Sequence, residues 1–342
     1  MSERSSKVRV AVVGAGYWGI NHVRAFTRVP DAELVAICDP DAAALERASK
    51  LAPNARLEPS YAALLADASV DAVVLATPAV MHAEQAIAAL RRGKHVFVEK
   101  PMALTTADAQ AMVATAEAAG HTLMVGHLML YHPGYDKLRE LVVSGEIGQV
   151  LYLYSLRVNL GRLRRDENAL WSFAPHDLSM ILDLVGAQPV TVAARGESYL
   201  QPGIEDVVFV SLAFPGREMA QIQLSWLDPR KERRLTVVGS RKMVELDDVH
   251  PTEKLRIYDK GYDRPPSFTQ YGEYLTVRHG DIHIPRLDMA EPLDLECRHF
   301  VHCAATGTAP RTGGAHGLAV VGVLEAAQQS LKSGGVPVAL VR

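Results

Sequence analysis

Residues 8–39 constrain the chain more than any other stretch. An apolar, β-branched run, Val8–Val13, breaks at Gly14-Ala15-Gly16-Tyr17-Trp18-Gly19, and a second run, Glu33–Cys38, ends on Asp39. Glycines spaced G-x-G-x-x-G between a strand and a helix meet three needs. Gly14 makes a tight turn, Gly16 lets a pyrophosphate approach the backbone, and Gly19 lets helix and strand pack closely. The helix that follows offers unbonded N–H groups and a positive dipole end to phosphate. Tyr17 and Trp18 lie in the same turn and are read with it as cofactor-binding. Asp39 stands 20 residues beyond Gly19. There a carboxylate meets the adenosine ribose hydroxyls and repels a 2′-phosphate, so the spacing predicts NAD rather than NADP. An Asp39-Pro40 turn that merely caps the next helix is the alternative.

The alternation continues to residue 126. Helices are predicted over 21–29, 42–51, 61–67, 79–92 and 106–119, and strands over 72–76, 95–98 and 123–125. Gly93 and Gly120 stop two of the helices. Apolar strands alternating with helices predict a doubly wound parallel sheet covered on both faces, an α/β Rossmann domain over 1–126. The texture then changes. A helix is expected over 132–144, strands over 150–158, 190–194, 207–214, 220–226 and 234–238, and an inserted helix over 177–185. An irregular stretch is expected at 261–278, with Pro265-Pro266, and helices over 293–305 and 318–332. The pattern predicts a second α/β domain over 127–342, an open, mostly antiparallel sheet with helices on one face. Its C-terminal helices are free to pack back on the first domain.

Composition excludes several classes. Lys and Arg number 36 against 39 Asp and Glu, a net charge of −3, without the basic field of a nucleic-acid binder. No apolar run approaches the ~18 residues of a membrane span. The apolar segment at 8–13 runs into a glycine turn, not a cleavage site. Cys38, Cys297 and Cys303 form no paired framework, so a reducing, cytoplasmic location is expected. Scattered histidines without an H-x-x-x-H or Cys/His cluster predict no metal.

Further landmarks come in order: Ala76-Thr77-Pro78 with His82 beyond it, Glu99-Lys100-Pro101 after the strand ending at Val98, Gly126-His127, and Tyr131-His132-Pro133. This set resembles the Gfo/Idh/MocA family of oxidoreductases over nearly the whole chain. The resemblance implies an NAD-binding Rossmann domain, and a second domain for substrate binding whose open sheet joins subunits into a homodimer or homotetramer. It places the family lysine, beside the nicotinamide and the reacting hydroxyl, at Lys100. Glu99 would orient it, and Thr77, Pro78 and His82 would line the cofactor. An ammonium beside a secondary alcohol can stabilise alkoxide and pass a proton. A cis Lys100-Pro101 bond is typical of the family. The plain alternative for Lys100 is a surface lysine at a strand end.

Many members carry Asp-x-x-x-His in the second domain, two side chains on one helix face. Here the histidine is His176, with Asp177 after it, but the position four earlier is Ser172, so part of the usual proton relay is altered. Pro175 predicts that the helix starts only there. His176 as a helix cap is the alternative. The stretch 159–175 is similar to a subgroup that acts on sugar nucleotides. Arg162, Arg164 and Arg165 read there as a diphosphate clamp, or as an exposed loop balanced by Asp166 and Glu167. Tyr131 and Trp171 line a sugar site or pack in the core. The resulting expectation is an NAD-dependent oxidoreductase acting on a secondary alcohol or ketone of a sugar or nucleotide sugar, with neither nucleic acid nor membrane as partner. A free-sugar or inositol dehydrogenase and a non-catalytic NAD-binding regulator remain as alternatives; Lys100 and His176 argue against the regulator.

Overall fold

A computed structural model describes residues 7–161, 163–165, 167–263 and 276–340. The chain divides into two compact units. One runs to Tyr131 and is completed by Ala290–Gly322; the other comprises His132–Met289 and the residues from Val323 on.

In the first unit, strands β1 (Val8–Val13), β2 (Ala32–Cys38), β3 (Arg56–Glu58), β4 (Ala72–Leu75), β5 (His95–Glu99) and β6 (Leu123–Gly126) alternate with helices. The helices are α1 (Tyr17–Phe26), α2 (Ala42–Ser49), α3 (Tyr61–Ala66), α4 (His82–Arg91) and α5 (Thr106–Ala119). The strands form one parallel sheet in the order β3-β2-β1-β4-β5-β6. Val10, Val12, Val73, Val74 and Phe97 are wholly buried, as expected of strands covered on both faces. Asp41, Ser60 and Thr105 cap α2, α3 and α5 by accepting backbone N–H groups. The order reverses between β1 and β4, so the loops after β1, β2, β4 and β5 all leave the same carboxyl edge at a topological switch point. Helix α1 starts at Tyr17, earlier than expected, because the glycine turn itself forms its first turn without an apolar repeat to announce it.

In the second unit, α6 (Pro133–Val143) leads into β7 (Val150–Val158) and then α7 (Ala169–Val185). Strands β8 (Thr191–Glu197), β9 (Val207–Ala213), β10 (Met219–Ser225), β11 (Glu232–Gly239), β12 (Met243–Asp247), β13 (Leu255–Asp263) and β14 (Thr276–His283) follow. With β15 (Val338–Ala339) they form a nine-stranded sheet ordered β14-β13-β12-β11-β7-β10-β9-β8-β15. It is antiparallel except where β7 meets β10. In β9, Val208, Val210 and Leu212 are buried while Phe209 is exposed, the alternation of a sheet with one open face.

Two expectations are corrected. The stretch 261–278 is not irregular at its ends: Gly261 pairs with Arg278 and Tyr262 with Val277 in a β13–β14 ladder, while 264–275 lies outside the described residues. Backbone pairing holds this hairpin, and β14 buries little, so no apolar alternation marks it. Helix α7 begins at Ala169 rather than at Pro175. Asn168 caps it, its Oδ1 accepting the Trp171 N–H at 3.1 Å. An interior proline costs ~3 kcal/mol. Burial of Leu170, Ala174, Leu178 and Ile181 along the same helix offsets that cost.

The two remaining helices are α8 (Pro292–Thr306) and α9 (Gly314–Lys332). In the first unit α8 buries Leu293, Cys297, Phe300 and Val301, and Phe300 packs against Phe97 with ring centres 5.5 Å apart. The three cysteines are free and buried. Among the described residues no helix is long and apolar enough to cross a membrane.

Candidate active site

The glycine turn has the geometry its spacing implies. Gly14 has φ +89°, and a Cβ there would lie 2.8 Å from the Ala76 carbonyl oxygen. A Cβ on Gly19 would lie 1.7 Å from the Gly14 oxygen, so helix and turn touch. Gly16 differs: a Cβ there would meet nothing within 4 Å. It is the exposed N-cap of α1 and brings no side chain to the leading N–H groups. Tyr17 is exposed and Trp18 half-buried beside it. Asp39 closes the turn, Oδ2 accepting the Ala15 N–H at 2.7 Å and Oδ1 the Asp41 N–H at 2.8 Å. Asp41, not Asp39, caps α2. Two accepted bonds leave lone pairs on both Asp39 oxygens. An open glycine cradle with unspent N–H groups, next to a fixed carboxylate, fits the pyrophosphate and ribose of NAD.

At the ends of β4 and β5 the polar groups are tightly ordered. Thr77 Oγ1 donates to Gln85 Oε1 at 2.6 Å, and Pro78 is exposed. His82 is buried, with Nδ1 2.8 Å from the Pro101 oxygen and Nε2 2.9 Å from the Thr77 oxygen. Its ring nitrogens therefore face main-chain carbonyls and tie the two loops together. The Lys100-Pro101 bond is cis, and Lys100 is half-buried. Beneath it, Glu99 Oε1 accepts from His22 Nε2 at 2.6 Å and Oε2 accepts the Lys100 N–H at 3.2 Å. Burial works against the Glu99 charge, but the contact with His22 and the Lys100 charge outweigh it and hold the carboxyl below the usual range. Since a carboxylate only accepts, His22 carries its proton on Nε2, and Nδ1 turns to the Cys297 thiol at 3.9 Å. Nearby, Glu296 is fully buried with Oε1 unpartnered among the described residues. Burial, then the Glu99 charge, push its carboxyl well above the usual range. His22, Glu296 and Cys297 were missed in the sequence. His22 lies three residues past Gly19, on the inward face of α1, and no motif marks Glu296.

Tyr131 belongs to the first unit's core. It is buried, with its hydroxyl 3.2 Å from Thr312 Oγ1 and its ring 5.5 Å from His299, and burial pushes the phenol up.

In the second unit, Ser172 and His176 lie one turn apart on α7, Ser172 buried and His176 half-buried. Asp177 points elsewhere: Oδ2 accepts from Arg157 Nε at 2.6 Å and Oδ1 from Nη2 at 3.3 Å, both side chains at most 6% exposed. That ion pair pins α7 to β7. The Trp171 indole N–H donates to Gln328 Oε1 at 3.0 Å, and Asn168 Nδ2 donates to the same oxygen and to Glu205. Arg164 and Arg165 are exposed, and Arg164 Nε pairs with Glu167 Oε1 at 2.9 Å. Arg162 lies outside the described residues. No group of three or more His, Cys, Asp or Glu side chains among the described residues could hold a metal.

Comparison with known proteins agrees with this geometry. Residues 8–127 match an oxidoreductase family with an NAD-binding Rossmann fold, and residues 135–245 match the GFO/IDH/MocA C-terminal domain. An uncharacterized oxidoreductase of Streptococcus pneumoniae is 30% identical over 254 residues, 70% of this chain and 68% of its own. Inositol 2-dehydrogenase 2 of Saccharopolyspora erythraea is 31% identical over 225 residues, 64% of this chain and 66% of its own. The structure of UDP-N-acetylglucosamine 3-dehydrogenase from Acidithiobacillus ferrooxidans superimposes with a TM-score of 0.80 at 25% identity, covering 96% of this chain and 99% of that one. With the glycine cradle and the strand-end lysine in place, the chain belongs to the Gfo/Idh/MocA family of NAD-binding oxidoreductases.

Proposed function

We propose that this protein oxidises a secondary alcohol of a sugar, in the first instance a nucleotide sugar, with Lys100 and His176 as its acid–base groups. The observation that carries the reading is at one sheet edge. Lys100 leaves β5 half-buried at the edge that also presents the Gly16 cradle and Asp39, above a Glu99 carboxylate fixed by His22. Bound NAD supplies the hydride acceptor. The chain's own task is the hydroxyl proton: Lys100 as amine takes it, and as ammonium stabilises alkoxide character on the substrate oxygen. Asp39 selects NAD over NADP by repelling a 2′-phosphate. Asp177 serves this reading by fixing α7 through Arg157.

Two exposed arginines, Arg164 and Arg165, precede α7 and support a diphosphate partner, as does the likeness to a nucleotide-sugar dehydrogenase. A second reading, a free polyol, is favoured by the Arg164–Glu167 pair, which already neutralises one guanidinium, and by the inositol dehydrogenase relative. The exposed Leu151, Tyr152, Phe209 and Met219 of the second sheet support self-association through that sheet. NADH absorbance across a panel of UDP- and TDP-sugars, hexoses and inositols tests the reading. Turnover of a nucleotide sugar, with KM raised by Arg164→Ala/Arg165→Ala at unchanged NAD affinity, supports it. Turnover of inositols alone moves the assignment to the polyol. Undiminished turnover in Lys100→Met removes the catalytic role of the lysine.

A further inference from the structure

Each alcohol oxidised leaves one proton on Lys100, and that proton has to leave before the next turnover. The strand ends show a way out. In the β5–β6 ladder Glu99 pairs with Gly126, so the next residues, Lys100 and His127, leave the ends of adjacent strands. His127 is 1% exposed, and its Nδ1 is shut from solvent without a hydrogen-bond partner among the described residues. An unsatisfied buried ring nitrogen is costly for a fold to carry. The His127 ring meets His316 edge-on, centres 5.1 Å apart. His316, in the first turn of α9, in turn lines a cavity of about 600 Å³ shared with His95, Glu117, His121 and Arg311. Glu117, Gly120, Gly307 and Thr308 on its rim are exposed, so it opens to the surface.

We propose that His127 and His316 form a proton exit from Lys100 to this cavity. The step balances simply. The Lys100 ammonium gives a proton to one ring nitrogen of His127. The proton on the other ring nitrogen passes to His316, and from there to a base in the cavity, which returns Lys100 to the amine. No electrons move, and a neutral imidazole, with one donor and one acceptor nitrogen, is suited to both halves of the transfer. Burial first, then His316 and Lys100, the groups that face it, hold the His127 ring well below the usual imidazole range.

The inference rests on the reading of Lys100 above, and the test separates the two. Imidazole NMR titration of the NAD-free protein is compared for wild type, Lys100→Met and His316→Asn. Coupling requires the His127 titration to move up in Lys100→Met, because a facing cation is lost, and to shift in His316→Asn, because the ring it meets is lost. In turnover, His316→Asn lowers kcat by about 10²-fold at unchanged KM, and 4-methylimidazole restores it in proportion to its concentration. A cavity-wall residue that were merely structural would not respond to buffer. A His127 resonance indifferent to both substitutions, or a loss of kcat that no buffer restores, overturns the exit while leaving Lys100 in its role. Full activity in Lys100→Met overturns the reading of the lysine itself. Should His316→Asn unfold, His316→Gln with the same titration decides.

Discussion

Asp177 gives the sharpest discrimination between a residue that touches substrate and one that holds the fold. Asp177→Asn keeps the shape but turns an amide N–H₂ or a neutral oxygen toward Arg157, whose guanidinium is 6% exposed and whose Nε donates to Asp177 at 2.6 Å. The substitution leaves a buried cation without its counter-charge. Removing one partner of a buried pair costs about 3–5 kcal/mol. For a unit of this size each kcal/mol shifts Tm by about 2–4 °C, so a fall of about 6–20 °C is expected. The double variant Arg157→Leu/Asp177→Leu removes both charges together and should recover most of the loss, since apolar replacement of a buried pair is often neutral or stabilising. Thermal melts followed by circular dichroism, with urea titrations in parallel, measure both. KM of the folded Asp177→Asn protein, well below its Tm, should stay near wild type. A raised KM at unchanged Tm would refute the structural assignment and return Asp177 to the substrate.

Asp39→Ser removes the carboxylate that repels a 2′-phosphate and gives up the bonds to Ala15 and Asp41; NAD affinity should fall while the NAD/NADP ratio narrows by about tenfold, about 1.4 kcal/mol, in cofactor titrations. Lys100→Met should lower turnover by ~10²–10⁴ with NAD affinity kept. His82 and His127 are held neutral in the fold, while the unfolded chain takes up protons near pH 6.5, so stability should decline as pH falls below about 6.5; His127→Asn should make that decline shallower in melts at graded pH. Glu296 has the opposite sign: its folded pKa is raised, so its contribution is lost as pH rises above about 4.5, the unfolded value, and Glu296→Gln should make that loss shallower in the same melts.

Much of the first unit is legible in the residues because its signals are local. The Gly14 and Gly19 roles follow from turn sterics, and Val8–Val13 and Thr106–Ala119 carry their own boundaries; in the second unit, β7 alike shows its full length at Val150–Val158. β14 escapes because a pairing partner, not a side-chain period, defines it, while the short β12 carries only a brief alternation, Val244 and Leu246 buried between Glu245 and Asp247. Pro175 misleads for a related reason: a local rule about helix starts yields to an asparagine cap seven residues upstream and to burial of the whole helix. At the site, Asp39 and the glycines could be named from spacing, and Lys100 from the family resemblance. The layer around Glu99 could not, because His22, Glu296 and Cys297 reach it only after distant segments have packed.

The completion of the first unit by Ala290–Gly322 also sets an order of events during synthesis. Phe300 and Cys297, which cover Phe97 and His22, leave the ribosome ~160 residues after Tyr131. At about 5–20 residues per second that is roughly 8–30 s. Throughout that interval a nascent βαβ sheet stands with the apolar ground for α8 uncovered and His22 open to water. Chaperone capture of nascent chains, or aggregation of fragments ending before residue 290, is thus built into the wiring of the fold.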